Sequence, residues 1–283
     1  MPLRSMLPIV MALALAACSG SGGAGQATDA AAGANASSAA TGKSSASATS
    51  NSTDKGVSFA KSEAKDGGQW DFKYAWPAAV TDRPALAALL MQEREAIMRK
   101  NRKSWIDALS ATPADCASCR TSNFSKTWKV VAEVPGYLSL SADIAMYTGG
   151  AHGMYGRESD VWLDKQGKVV AGVEMFTSPA VLDKALQPAL CRALDAARKT
   201  RRGADYKPAP TGQDYGFDSC QHVKDATVFV GSSDGRKFDK VGIWFGPYVA
   251  GPYAEGAYEI TLPVTPAVLA TVRPEYKAAF AAK

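Results

Sequence analysis

Trp128-Lys129-Val130-Val131-Ala132-Glu133-Val134-Pro135-Gly136-Tyr137-Leu138-Ser139-Leu140-Ser141-Ala142-Asp143-Ile144-Ala145-Met146 is the stretch that decides the architecture. Trp128, Val130, Ala132 and Val134 recur at every second position along one arm, and Leu138, Leu140, Ala142, Ile144 and Met146 along the other. A period of two is that of a half-buried strand. Pro135-Gly136 between the arms suits the central positions of a tight turn, so an antiparallel hairpin is predicted. Beyond a glycine-rich loop, Val161 and Leu163 begin a third strand, which Asp164–Gly167 turns into a fourth at Lys168–Ala171.

Upstream, Asp71–Ala75 alternates as a strand, and a helix follows to about residue 109. Thr81 or Asp82 is its cap, Pro84 lies in its first turn, and Leu86, Leu89, Leu90, Ile97, Trp105 and Leu109 form its apolar face. A second long helix starts at Ser178-Pro179 with Leu182, Leu186, Leu190 and Leu194 four residues apart. Residues 203–224 are loop-like. Strands are then predicted at 226–231, 241–246 and 256–262, and a short helix at Thr265-Pro266. The class is α+β: mostly antiparallel sheet or sheets, with two long helices and a short C-terminal helix packed on one face.

The N-terminus carries Arg4, an apolar run from Met6 to Leu15, and Leu15-Ala16-Ala17-Cys18. The run is too short to span a bilayer and the last four residues resemble a bacterial lipobox, so residues 1–17 are expected to be a signal peptide and Cys18 the lipidated first mature residue. Ser19, not an aspartate, follows the cysteine, which resembles an outer-membrane address facing the periplasm. Residues 18–56 then form a tether of Ser, Gly, Ala, Thr and Asn with little to bury, and disorder is expected. Its coil reach is roughly 35 Å. The folded region is assigned to 57–283, with a possible division into subdomains at about 57–146 and 147–283.

Without Arg4 the chain keeps 31 of its 32 basic residues against 27 acidic ones, a mild positive balance with no nucleic-acid footprint. The basic clusters Arg99–Lys103 and Arg198–Arg202 suggest solvated helix ends. Besides Cys18 there are Cys116, Cys119, Cys191 and Cys220, an even number in an oxidising compartment. Of the three pairings, Cys116–Cys119 with Cys191–Cys220 is preferred: the first is a local staple, the second ties a helix to the loop after it. No metal site, cofactor loop, nucleotide loop or serine-hydrolase elbow is present in the sequence.

Two segments remain: Tyr147-Thr148-Gly149-Gly150-Ala151-His152-Gly153, and Phe245-Gly246-Pro247-Tyr248-Val249-Ala250-Gly251-Pro252-Tyr253-Ala254-Glu255-Gly256. Together they resemble the hallmark segments of the extracytoplasmic domain shared by RsiV-type anti-sigma factors and the non-catalytic region of PdaC-type peptidoglycan deacetylases. The resemblance spans about residues 60–280 and implies a module at the cell surface, a lysozyme receptor in the first group and a companion of an enzyme domain in the second. Neither full activity carries over. No membrane-spanning segment is read here to hold a sigma factor, and His152 and His222 are too few histidines for an Asp-His-His metal site.

Tyr147, Thr148, Gly149, Gly150, His152, Tyr248, Tyr253 and Glu255 are therefore the candidate ligand-binding residues. The glycines allow close backbone approach, and the tyrosines can stack on sugars or anchor a protein interface. The plainer alternatives are that His152 hydrogen-bonds its own turn and that Tyr248 and Tyr253 plug the sheet end. A hydrolase would need His152 as base, or Glu255 as acid with Asp143 or Asp160 as second carboxylate. The favoured expectation is a non-catalytic, membrane-anchored periplasmic binding lipoprotein for peptidoglycan or a wall-active protein such as lysozyme. The alternatives are a wall hydrolase using His152 or Glu255, and an envelope-assembly lipoprotein.

Overall fold

The 128–146 hairpin forms the middle of a seven-stranded sheet in the computed structural model, which describes residues 47–51, 56–210 and 216–283. The leader, Cys18 and the tether up to residue 46 lie outside the described residues. In chain order the first sheet comprises β1 (Ser47–Asn51), β2 (Val57–Lys65), β3 (Gly68–Trp76), β4 (Thr121–Val134), β5 (Tyr137–Tyr147), β6 (Met154–Leu163) and β7 (Lys168–Ala171). All neighbours are antiparallel except β3 and β4. That parallel pair needs a crossover, supplied by a helical turn α1 (Ala78–Thr81) and the long helix α2 (Pro84–Ala111). Two elements were not expected: β2, and β1, whose pairing with β2 makes the last stretch of the predicted disordered tether a sheet edge.

α2 starts differently from the expectation. Arg83, not Thr81 or Asp82, is its N-cap and makes no side-chain cap bond. Its guanidinium instead reaches Glu133 (2.8 Å) and Asp164 (2.9 Å), tying the helix start to the hairpin end. Leu86, Leu90, Trp105 and Leu109 pack against Trp70, Phe72 and Tyr74 of β3, Trp128 of β4, and Leu138 and Leu140 of β5. Leu89 is turned outward, at 42% exposure. Arg99–Lys103 lies within the helix and not at its end, and Arg102 forms a two-pronged pair with Glu63 of β2. Lys126 of β4 carries its charge into this core: it is fully buried between Glu93 and Glu158, and Glu93 also accepts from the Tyr74 hydroxyl (2.6 Å).

β4 does not keep one face throughout. A bulge between Val130 and Ala132 flips its parity, so Trp128 faces α2 whereas Ala132 and Val134 join a second core on the sheet's other side. That second core is built by helix α3 (Pro179–Arg202), by a three-stranded antiparallel sheet of β8 (Thr227–Gly231), β9 (Lys240–Phe245) and β10 (Tyr258–Pro263), and by helix α4 (Pro266–Thr271). Ser178 and Thr265 cap α3 and α4 through bonds accepted from Val181 and Val268 N–H. The four leucines of α3 are all buried against Val241, Ile243, Phe245, Tyr258 and Ile260. Each long helix thus covers its own sheet, where one shared face was expected. The first sheet continues through β7, which ends at Ala171.

Both disulfides join the expected partners, Cys116–Cys119 and Cys191–Cys220. The Arg198–Arg202 cluster ends α3, with Lys199 and Arg201 exposed as expected, but Arg198 departs from that reading. Arg198 is completely buried and donates to the carbonyls of Ala250 (3.2 Å), Asp218 (3.1 Å), Ser219 (2.9 Å) and Phe217.

Candidate functional site

The β5–β6 loop and the β9–β10 loop meet, although about a hundred residues apart in sequence. Tyr253 donates its hydroxyl to the Gly153 carbonyl (2.7 Å), and its ring stacks on His152 with centroids 4.2 Å apart and planes 26° from parallel. Tyr248 lies 5.6 Å from Tyr253 by centroid, with its hydroxyl 3.5 Å from His152 Nε2. Tyr147 donates to the Gly150 carbonyl (2.8 Å) and closes the loop on itself, while Thr148 is exposed. Gly149 has φ +92°, and a Cβ there would stand 3.2 Å from the Cys119 backbone, so the disulfide turn of Cys116–Cys119 buttresses this loop.

His152 Nδ1 is 2.9 Å from the Gly153 carbonyl. A carbonyl only accepts, so Nδ1 is the donor in this contact, and Nε2 faces the Tyr248 hydroxyl. The expected turn bond of His152 is therefore present, and the ring is also one face of an aromatic stack. Tyr248 is 45% exposed and holds φ +65°, a region a bulky side chain rarely enters. Tyr253 is half-buried. Neither plugs the sheet end; buried Phe245 and Tyr258 occupy the core there.

Glu255 does not join the aromatic group. Its carboxylate accepts from Arg202 Nε (2.8 Å) and Nη2 (3.0 Å) and from the Tyr258 hydroxyl. Burial pushes its carboxyl up, but Arg202 and the Tyr258 hydroxyl outweigh burial and hold it below the ordinary value. An acid catalyst must be protonated, so this is the wrong environment for one. Asp143, the proposed second carboxylate, is also pulled below its ordinary value against burial, by Lys129 (2.6 Å) and Arg157 (2.7 Å). Among the described residues there is no group of three or more His, Cys, Asp or Glu placed to hold a metal, and no helix long and apolar enough to cross a membrane.

Residues 48–155 match the family model described as Deacetylase PdaC. The matched range includes Tyr147–Gly153 and stops short of Phe245–Gly256, so it takes in one of the two loops. Among solved structures, the chain is similar to a member of the DUF3298 family from Bacteroides fragilis at 16% identity, covering 78% of this chain and 89% of that one with a TM-score of 0.45. It is also similar to a DUF3298 family protein from Pseudomonas aeruginosa at 17% identity, covering 85% of this chain and 96% of that one with a TM-score of 0.46. No curated protein matches.

The sequence reading missed what adjoins the aromatic group. Tyr155 of β6 lies 6.1 Å from Tyr253 and 6.5 Å from Trp244 of β9, centroid to centroid. Tyr155 and Trp244 also line a cleft between the two sheets, with Lys129, Asp143, Arg157, Arg201 and Glu259. Lys129, Asp143 and Arg157 each sit on an outward strand position, a pattern that in sequence is indistinguishable from any solvated strand face.

Proposed function

We propose that this chain is a lipid-anchored envelope protein whose folded domain binds cell-wall glycan by stacking sugar rings on the His152–Tyr253–Tyr248 patch. The observation that carries the reading is the ring cluster itself: three flat groups from two distant loops, with Tyr248 held outward in a strained backbone conformation. Strain of that kind costs roughly 1–3 kcal/mol and collects at binding sites. Aromatic faces pair with sugar C–H surfaces while the hydroxyls and carbonyls around them supply hydrogen bonds. The mildly basic chain suits an acidic wall better than it suits a basic protein such as lysozyme. The carboxylate chemistry of a hydrolase finds no support, since Glu255 and Asp143 are both held ionised.

Co-sedimentation with purified sacculi tests the reading. Tyr248→Gly removes the exposed ring and relieves the positive φ, so the variant stays folded, and sacculus affinity is expected to fall about 2- to 13-fold for roughly 0.5–1.5 kcal/mol of stacking. Wild-type protein that fails to sediment, or a Tyr248→Gly protein that binds as well as wild type, refutes the patch. Lipidation is tested separately, by incorporation of labelled fatty acid that Cys18→Ala abolishes.

A further inference from the structure

The cleft beside the patch, about 610 Å³, lies between outward faces of the two sheets. Its polar groups are almost balanced. Arg157 bridges the sheets, donating from Nε to Asp143 on β5 (2.7 Å) and from Nη1 to Glu259 on β10 (2.6 Å), and Lys129 makes a second bond to Asp143 (2.6 Å). Two cations thus serve two carboxylates. Arg201 of α3 is the third cation and differs from the others. It donates to the carbonyls of Glu255 and Ala257 (2.7 Å each), lies 3.8 Å over the Tyr258 ring, and forms no ion pair with a carboxylate among the described residues. Carbonyl bonds orient a guanidinium without cancelling its charge, so among the described residues the cleft carries one surplus positive charge.

Arg201 lines the cleft together with Tyr155 and Trp244. Tyr248, Tyr253, Tyr155 and Trp244 follow one another at 5.6, 6.1 and 6.5 Å, the first two on the exposed loop and the last two in the cleft wall. Resting on the glycan reading above, we propose that the cleft is the seat for an acidic saccharide unit: a sugar stacked along Tyr253, Tyr155 and Trp244 delivers its carboxylate to Arg201. The chemical class is an amino sugar bearing an ether-linked carboxylate, as opposed to a neutral amino sugar. Gly156 also lines the cleft, and a Cβ added there would meet nothing within 4 Å, so this position can be filled without disturbing the fold.

The test compares two probes of equal ring number by calorimetric titration at low salt. One is the N-acetylglucosamine–N-acetylmuramic acid disaccharide with a free lactyl carboxylate; the other is neutral di-N-acetylchitobiose. Full-length wild-type protein is expected to prefer the acidic probe by about 5-fold, the size of one exposed charge pairing. Gly156→Leu should erase the preference by filling the space, and Arg201→Gln should erase it as well, each read as the ratio of acidic-probe to neutral-probe affinity within the same variant. Equal affinity of wild type for both probes overturns the cleft and leaves the stacking patch standing, as does a preference that survives both substitutions. Failure of both probes to bind overturns the glycan reading and this one together.

Discussion

Glu255→Gln separates a structural carboxylate from a catalytic one. The native side chain is about one-fifth exposed and receives two bonds from Arg202 and one from Tyr258. Glutamine keeps one carbonyl acceptor, but it loses the negative charge and turns a second acceptor into a donor facing Arg202. Bonds to charged groups contribute about 1.5–3 kcal/mol each. Because Arg202 keeps Asp218 and half of its Glu255 geometry, a loss of about 1–2 kcal/mol is expected. In a folded region of this size that is a fall in Tm of about 2–8 °C, read by circular dichroism. The pH dependence sharpens the test. Glu255 titrates below its ordinary 4.5 in the fold, so its stabilisation is present above that value and disappears as pH falls through the folded pKa. Wild type and variant should therefore differ fully at pH 7 and converge in acid. An unchanged Tm at pH 7, or a gap that persists undiminished in acid, refutes the assignment.

Four further outcomes follow from the same structure. Gly149→Ala puts a side chain at φ +92° against the Cys119 backbone and should destabilise by about 1–3 kcal/mol in urea melts, with sacculus binding weakened; a neutral result refutes the buttress. Lys126→Met leaves Glu93 and half-exposed Glu158 without their shared cation and should lower stability by about 2–4 kcal/mol at pH 7, read from the urea midpoint. In wild type, burial opposes the Lys126 charge but Glu93 and Glu158 outweigh it, and burial with Glu93 pushes the Tyr74 phenol up. Both raised values stabilise the fold at neutral pH and are lost on alkalisation, so the urea midpoint should fall from about pH 10 upward; a flat midpoint there counts against the network. Removing the Cys191–Cys220 bridge as a double serine variant opens a 29-residue separation and should cost about 3.5 kcal/mol by loop entropy, whereas the three-residue Cys116–Cys119 bridge should contribute only about half as much.

The elements legible in the sequence are those whose signals are local. Ser178 and Thr265 announce α3 and α4 because a cap and its bond lie within three residues, and the 128–146 hairpin announces itself by period and turn. β2 was missed because Lys61, Glu63 and Lys65 make it resemble solvated chain, yet a local signal was there. Asp66-Gly67, both at positive φ, is the two-residue turn that joins antiparallel strands, and it pairs Lys65 with Gly68. The bulge in β4 and the division into two sheets had no such signal, since each depends on partners distant in the chain. The candidate residues divide the same way. His152, Tyr248 and Tyr253 were named from their loops and come together, whereas Glu255 faces Arg202, which sequence spacing cannot reveal. The cleft needed three strands, a second sheet and a helix to exist at all.

Arg198 and Arg201 grip the β9–β10 loop by its carbonyl oxygens, those of Ala250, Glu255 and Ala257. Every residue type offers the same carbonyl, so this clamp is indifferent to the side chains it holds in place. The tip residues Tyr248, Pro252 and Ala254, all exposed, can be exchanged without loosening the two arginines beneath them. The loop is in that respect like an interchangeable head on a fixed handle: a lineage, or an engineer, can change what the surface recognises while the sheet, the helix and the grip stay as they are.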